Sequence, residues 1–249
     1  ILLPTGVTGS GVVRLSQLYK DSAFVTRTQN TNAKEDLQIR SVREQLEKIK
    51  EKIGSDFIKL KVGNNTYEVT EVESTPGTPK SDMNFIGKNG VKLGFCSLKD
   101  GATASAIQQW GGASVSREPL IAAHPEVVAF VKTAREMFPT EIPQGTTVAR
   151  EISDQKLRMQ GIYGSGYGGS LGINNVDVLL QGTVKINAIN FTEYKITGSA
   201  MTHSNGSTLP SEYQPVLMAI YKGDRSDYGI KNARINLYSK SGRTKRQMI

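Results

Sequence analysis

The chain has 249 residues, which is enough for one large domain or two small ones. Its 31 basic and 23 acidic residues give a formal net charge of +8, which favours a polyanionic partner, nucleic acid before anionic membrane. No window approaches the roughly 18 consecutive apolar residues of a spanning helix, and apolar residues recur throughout, so a transmembrane helix and a wholly disordered chain are excluded.

The N-terminal part of the chain predicts an arm followed by one long helix. Residues 1–31 mix short apolar pieces with Gly, Thr and Ser and are expected to form an irregular arm. Over residues 32–53 the apolar positions step by three and four, which is typical of an amphipathic helix. Its predicted buried stripe consists of Ile39, Val42, Leu46, Ile49 and Ile53. Asn32 and Glu35 have the spacing of a capping box, and Gly54 supplies a C-terminal stop.

The middle of the chain predicts short strands and then further helices. Residues 57–62 and 66–72 alternate on either side of a Gly-Asn-Asn turn, which predicts a hairpin. Two more strands are predicted at residues 82–86 and 91–98. Helical patterns follow at residues 102–110 and 125–138. In the second of these helices the predicted buried stripe consists of Val127, Val128, Val131, Ala134 and Met137.

Beyond Gln144 the composition shifts to glycine-rich and alternating segments. Residues 161–172 lack the Gly-Lys-Ser/Thr ending of a phosphate-binding loop, and a flexible connection is preferred over a loop whose Tyr163 and Tyr167 stack on bases. Mainly antiparallel strands are predicted at residues 176–180, 183–189, 194–197, 216–221 and 233–238. The expected organisation is an arm at 1–31, an α/β core at 32–145, and a β-rich C-terminal region at 146–249 that packs on the core.

Cysteine and histidine usage limits the kinds of site that the chain can build. Cys96 is the single cysteine, so an intrachain disulfide and a multi-cysteine zinc site are excluded, and a reducing compartment is the simplest setting. The two histidines, His124 and His203, are too few for a three-histidine site, so any metal is expected to bind through oxygen ligands, which suits Mg²⁺ or Mn²⁺. The first residues lack the basic-then-apolar order of a signal peptide, so no export is expected.

The clearest chemical pattern lies on the two strands predicted at 82–86 and 91–98. Asp82 opens the first of them, and the second ends with Ser97 and Lys99 two residues apart. Adjacent antiparallel strands of this length bring Asp82 to the level of the other two residues. The period of two then points the side chains of Ser97 and Lys99 to the same face.

Together with the preceding helix, these strands resemble the PD-(D/E)xK nuclease superfamily, which includes restriction enzymes, resolvases and phage nucleases. The family order is a helix with a Glu, a strand with Asp, a strand with acid-x-Lys and a further helix, and residues 33–112 follow it. Ser97 departs from the pattern, because the family usually has an acid there. The resemblance implies an α/β (α+β) fold: a restriction-endonuclease-like core with a mixed sheet flanked by helices, plus the β-rich C-terminal part.

The resemblance also implies an activity, namely metal-dependent hydrolysis of DNA phosphodiester bonds. Mg²⁺ or Mn²⁺ would be held by the carboxylates of Asp82 and Glu35 and by the hydroxyl or backbone carbonyl of Ser97. Lys99 would orient or deprotonate the attacking water and offset negative charge. On the helix predicted after the second strand, Gln108 or Gln109 would position water or phosphate by hydrogen bonding.

The choice of Glu35 depends on helical phase. Glu35 lies four residues before Ile39, in line with the predicted buried stripe, whereas Glu44 and Glu47 lie away from it. An interpretation of equal weight makes Glu35 a capping-box acid that binds the amide of Asn32.

DNA is the expected partner, and no membrane is expected. Basic residues that could contact phosphate are Lys80, Arg225, Arg243, Lys245 and Arg246. The resemblance implies a bacterial or phage setting, with a cytoplasmic location or a place in the virion, and it is compatible with a homo-oligomer or with virion partner proteins.

Two other functions stay open. The absence of an acid at Ser97 favours a non-catalytic DNA-binding protein, or a virion structural or assembly protein, that keeps a nuclease-like fold. A further alternative is a β-rich assembly module whose basic charge is incidental.

Overall fold

The structure is a computed structural model. It describes residues 33–75, 81–104, 113–114, 123–154, 163–164, 175–207, 215–222, 234–239 and 247–249. Helix α1 covers residues 33–53, and helix α2 covers Pro125–Met137. Because these helices accompany two β-sheets, the predicted mixed α/β class is confirmed.

The strands within the described residues divide between two sheets. In chain order they are β1 (Ile58–Val62), β2 (Asn65–Ser74), β3 (Met83–Gly87), β4 (Lys92–Lys99), β5 (Ala113–Ser114), β6 (Thr147–Glu151), β7 (Val178–Gln181), β8 (Val184–Ala188), β9 (Glu193–Gly198), β10 (Met201–Ser204), β11 (Pro215–Lys222), β12 (Arg234–Ser239) and β13 (Gln247–Met248). The predicted hairpin at 57–72 is β1 and β2, and the strands predicted at 82–98 are β3 and β4.

The larger sheet has the order β10-β7-β4-β3-β2-β1-β9-β8. Strands β1 to β4 form an antiparallel meander, since each pairs with the next along the chain. The two outer strands of this meander each gain a parallel neighbour from the C-terminal half, β9 beside β1 and β7 beside β4. Residues 178–204 therefore belong to the same sheet as residues 58–99, and the sequence-based division at residue 145 does not separate them.

Strands β7 to β10 form one long antiparallel ribbon that curls the sheet. The pairings Val178 with Ser204 and Val184 with Gly198 share one register, although each strand bends between them. Across the bend, Ala200 N donates to Gln181 O at 3.0 Å. One half of the ribbon pairs with β4 and the other half pairs with β1. The hydrogen-bonded strands therefore form a closed ring.

Helix α1 packs on the core face of this curled sheet. Its buried stripe, Ile39, Val42 and Leu46, joins one apolar cluster with alternate residues of the strands. Each such side chain contributes about 1.5–3 kcal/mol on burial. Gln45 fastens the helix to β8, because its amide donates to Val184 O at 3.2 Å and accepts from Ile186 N at 2.9 Å. The predicted phase of α1 is thus confirmed for these three apolar positions, and Ile53 is 40% exposed.

The smaller sheet has the order β13-β6-β11-β12-β5 and contacts α2. The buried residues of α2 are Val127, Phe130 and Ala134, and Phe130 stacks on Tyr221 of β11 at 5.4 Å between ring centroids. The sequence-based stripe was wrong at Val128 and Met137, which are exposed. At about 100° per residue, a stripe centred on Phe130 turns Val128 toward solvent.

No helix in the described part of the chain is long and apolar enough to cross a membrane.

The interpretation of residues 161–172 as a flexible connection is corrected at Tyr163. The Tyr163 side chain is buried, and its hydroxyl contacts Nδ1 of His203. The backbone carbonyl of Tyr163 accepts from Val176 N at 2.8 Å. Burial raises the pKa of the Tyr163 phenol. Tyr163 is therefore a core residue and not a platform for bases, and Tyr167 lies outside the described residues.

Candidate functional site

The candidate site lies where β3 begins and β4 ends. Asp82 immediately precedes β3, and its backbone N–H donates to Cys96 O of β4 at 2.8 Å. The β3–β4 register shifts between Met83 and Phe85, which marks a local irregularity beside Asp82. This arrangement turns the Asp82 side chain toward the last residues of β4.

Three groups at the end of β4 lie close to one carboxylate oxygen of Asp82. Oδ2 accepts from the Ser97 hydroxyl at 3.0 Å and from Leu98 N at 2.6 Å. Lys99 Nζ lies 3.9 Å from the same oxygen, and the Lys99 and Asp82 side chains are only 25% and 24% exposed. The predicted proximity of Asp82, Ser97 and Lys99 is therefore confirmed, as is the position of Ser97 and Lys99 on one side of β4.

Glu35 approaches the same site from the first turns of α1. Partial burial raises the pKa of its carboxyl, repulsion from Asp82 raises it further, and attraction to Lys99 lowers it. Asp100 is a further nearby carboxylate that raises the pKa of Glu35. The alternative role of Glu35 as a capping-box acid depends on Asn32, which lies outside the described residues.

The raised pKa of Glu35 gives a prediction for stability. A carboxyl whose pKa is higher in the folded state loses favourable free energy as the pH rises through that pKa, because the folded protein holds the proton more tightly. We expect Glu35→Gln to gain stability relative to the natural chain as the pH rises above the ordinary pKa of a glutamate. Urea unfolding in EDTA at several pH values measures this.

Glu44→Gln is the matched control for that measurement, since Glu44 lies on the exposed side of the same helix. A Glu35→Gln difference that stays constant with pH, or one that moves in the opposite direction, would contradict the assignment of Glu35 to this half-buried position beside Asp82.

The carboxylates of Asp82 and Glu35 are suited to a Mg²⁺ ion that has only one or two protein ligands. Mg²⁺ commonly binds one or two carboxylates and completes its coordination with water and substrate phosphate oxygens. Asp82 and Glu35 could supply two such ligands, and a cation between them would relieve their repulsion. Among the described residues, no group of three or more His, Cys, Asp or Glu side chains could hold a metal ion. Ser97 is buried, and its hydroxyl donates to Asp82.

A polar network that the sequence did not predict supports Asp82 from the β3 side. The buried Asn84 side chain donates to Glu73 Oε1 at 3.2 Å and accepts from the Thr75 hydroxyl at 3.1 Å. Buried Ser81 donates in turn to the Thr75 hydroxyl at 3.2 Å. These bonds restrain the backbone on both sides of Asp82, and the alternation pattern alone contains no sign of them.

An open groove adjoins the site beyond the end of β4. It has a volume of about 260 Å³ and is lined by Gln38, Ser41, Asp100, Gly101, Gly182, Thr183 and Val184. Asp100 also accepts from Lys34 Nζ at 3.3 Å, which ties the start of α1 to the loop after β4. Gln181 holds the same loop, since its amide donates to the carbonyls of Asp100 at 3.2 Å and Thr103 at 2.9 Å.

Sequence reasoning missed Asp100 and Gln38 as neighbours of the site, although both had a signal. Asp100 directly follows Lys99, and Gln38 lies three residues after Glu35 on the same side of the helix. The other predicted site residues lie outside the described residues: Lys80, Gln108, Arg225, Arg243, Lys245 and Arg246.

Comparisons of the chain with protein-family models, with curated proteins and with solved structures found no match.

Proposed function

We propose that the protein is a metal-dependent DNA endonuclease with a restriction-endonuclease-like core. The observation that carries the proposal is the convergence of Ser97 and Lys99 on one carboxylate oxygen of Asp82, at 3.0 Å and 3.9 Å, with Glu35 beside them. The basic balance of the chain, +8, supports a polyanionic substrate. DNA is the polyanion that the family resemblance implies.

In this proposal each residue of the site has a separate task. Asp82 and Glu35 hold a divalent cation, Mg²⁺ or Mn²⁺, which when bound polarises the phosphate and lowers the pKa of a bound water. Lys99 would orient an attacking water and stabilise the negative charge that develops on the phosphate oxygens. Ser97 and the backbone N–H of Leu98 hold Asp82 in one orientation, so the carboxylate is positioned before substrate binds.

The hydrogen bonding of Asp82 also favours a second candidate function. Its Oδ2 already accepts from Ser97 and Leu98, and residue 97 supplies a hydroxyl where the family usually supplies a charge. A chain with this arrangement could keep the fold and bind DNA without cutting it. That protein would be a DNA-binding or virion structural protein.

Cleavage of supercoiled plasmid DNA by the full chain separates the two candidates. The endonuclease proposal expects nicked and linear products with Mg²⁺ or Mn²⁺ and none in EDTA. Binding of the same plasmid without cleavage in either metal would reject the endonuclease and leave the non-catalytic function. No binding even at low salt would reject both the endonuclease and the DNA-binding protein, because phosphate contacts are strongest there.

A further inference from the structure

We infer that the solvent face of β1, β9 and β8, together with the apex of the β8–β9 hairpin, binds single-stranded nucleic acid. The surface consists of three lysines, Lys61, Lys185 and Lys195, and of Phe191 at the apex. It is separate from the Asp82 site and does not rest on the proposed cleavage. Its recognition chemistry is cationic contact to phosphates combined with stacking on an unpaired base.

The strand register places the lysines side by side. Lys61 of β1 faces Lys195 of β9 directly, and Lys185 of β8 lies diagonally beyond Lys195, opposite Thr197. All three are exposed, because the alternate residues of these strands point into the core. Like charges on facing strand positions repel each other, so this row costs stability unless an anion accompanies it.

Carboxylates in the part of the chain that the structure describes do not pair with these three lysines. Among the described residues, none of them forms an ion pair. Lys59, the preceding residue on the same face of β1, lies opposite Glu68 and Glu193 in the strand register. Lys61, Lys185 and Lys195 instead face Thr66, Thr197 and Asn187 across the antiparallel pairs, so no carboxylate stands directly opposite them there.

The hairpin apex presents an aromatic ring on an ordered turn. Phe191 is 99% exposed, and its neighbour Ile189 is 47% exposed. The Asn190 side chain builds the turn, since its Oδ1 accepts from the backbone N–H groups of Thr192 and Glu193, both at 2.9 Å. Ile189 N also donates to Glu193 O across the turn at 2.8 Å. The turn thus places Phe191 at the outer end of the hairpin, with its ring exposed for stacking.

The relative placement of ring and lysines favours a polymer over a membrane. Strand side chains stand perpendicular to the sheet, so the lysines project from its face, whereas Phe191 lies at its end, in the turn before β9. A flat bilayer that touched the apex would not reach the face at the same time, but a flexible strand can follow both. Duplex DNA offers no exposed base face to Phe191, so the fit is to a single strand.

Binding of fluorescent oligo(dT) and oligo(U) to the full chain tests the role of the ring. The titrations are made in EDTA, so a failure of the proposed cleavage cannot affect them. Phe191→Ala is expected to weaken binding about 5- to 150-fold, the range found for loss of one stacked base. Phe191→Trp is expected to bind the oligonucleotides as well as the natural chain does, because tryptophan keeps the stacking surface.

The lysine row is tested by the double change Lys61→Ala with Lys195→Ala. It should weaken binding to every sequence and reduce the slope of log affinity against log salt by about 1.4, or 0.7 for each phosphate that a lysine no longer neutralises. Lys132→Ala on α2 is the control, since that exposed lysine lies 4.0 Å from Glu136. The control should match the natural chain.

Three results would overturn the inference. The first is equal affinity of Phe191→Ala and the natural chain for both oligonucleotides. The second is preference for a duplex of the same length over the single strand. The third is binding to phosphatidylserine vesicles that depends on Phe191 while the oligonucleotides do not bind, which would assign the surface to a membrane.

Discussion

Replacement of Asp82 by Asn is expected to lower the rate of metal-dependent DNA cleavage by about 100-fold or more, since it removes a charged ligand of the proposed cation. The amide oxygen of Asn can still accept from Ser97 and from Leu98 N, so the local fold should persist. The rate is measured as nicking of supercoiled plasmid under single-turnover conditions at several Mg²⁺ concentrations.

Asp177→Asn is a closely matched control for this change. Asp177 is also a partly buried carboxylate that accepts a backbone N–H from β4, that of Phe95 at 2.9 Å, but it does so away from the candidate site. Burial raises the pKa of Asp177. Its replacement therefore removes a partly buried charge, as the replacement of Asp82 does. Equal cleavage rates of the Asp82→Asn and Asp177→Asn proteins would contradict a catalytic role for Asp82.

Lys99 gives an independent test of the same site. Lys99→Met keeps the aliphatic part of the side chain and removes the charge, and we expect it to slow cleavage by about 100- to 1000-fold. Binding of plasmid in EDTA should change little, because Lys99 is one of many basic residues that could attract phosphate. A parallel decrease of binding and cleavage would mean that Lys99 only attracts DNA.

The parts of this site that were predictable from sequence depend on local periodicity. A period of two puts Ser97 and Lys99 on one side of β4, and a tight turn between β3 and β4 brings Asp82 to their level. Helical phase selects Glu35 from the acids of α1, because one stripe of that helix faces the core. Each of these relations links residues within one element or between consecutive elements.

The parts that were not predictable depend on distant pairing. The parallel pairings of β9 with β1 and of β7 with β4 join strands that are far apart in the sequence, and a parallel neighbour leaves no turn signal. The division at residue 145 followed composition, whereas the sheet follows hydrogen bonding. The stripe of α2 was misplaced for a related reason: Phe130 packs against Tyr221, which lies on a remote strand.

Gly198 makes the packing of the β7–β10 ribbon at its bend testable. A Cβ atom at Gly198 would lie 2.5 Å from Gln181 O and 2.5 Å from Met201 O. Both contacts are to backbone, so no side chain can move aside, and the ribbon of β7 to β10 would have to open at its bend. We expect Gly198→Ala to lower the free energy of unfolding by about 3 kcal/mol, the upper end of the cost of overpacking. Urea denaturation followed by circular dichroism measures it.

Gly54→Ala separates crowding from loss of glycine flexibility. Gly54 ends α1 at a φ of 63°, and a Cβ atom there would meet nothing within 4 Å. Its replacement should therefore cost about 1 kcal/mol, the penalty of the left-handed conformation alone. Gly198 is not among the positive-φ glycines, so its larger cost would come from the close approach of the ribbon strands. A Gly198→Ala protein as stable as the natural chain would show that the two halves of the ribbon are not held together at this bend, and that the sheet does not close into a ring.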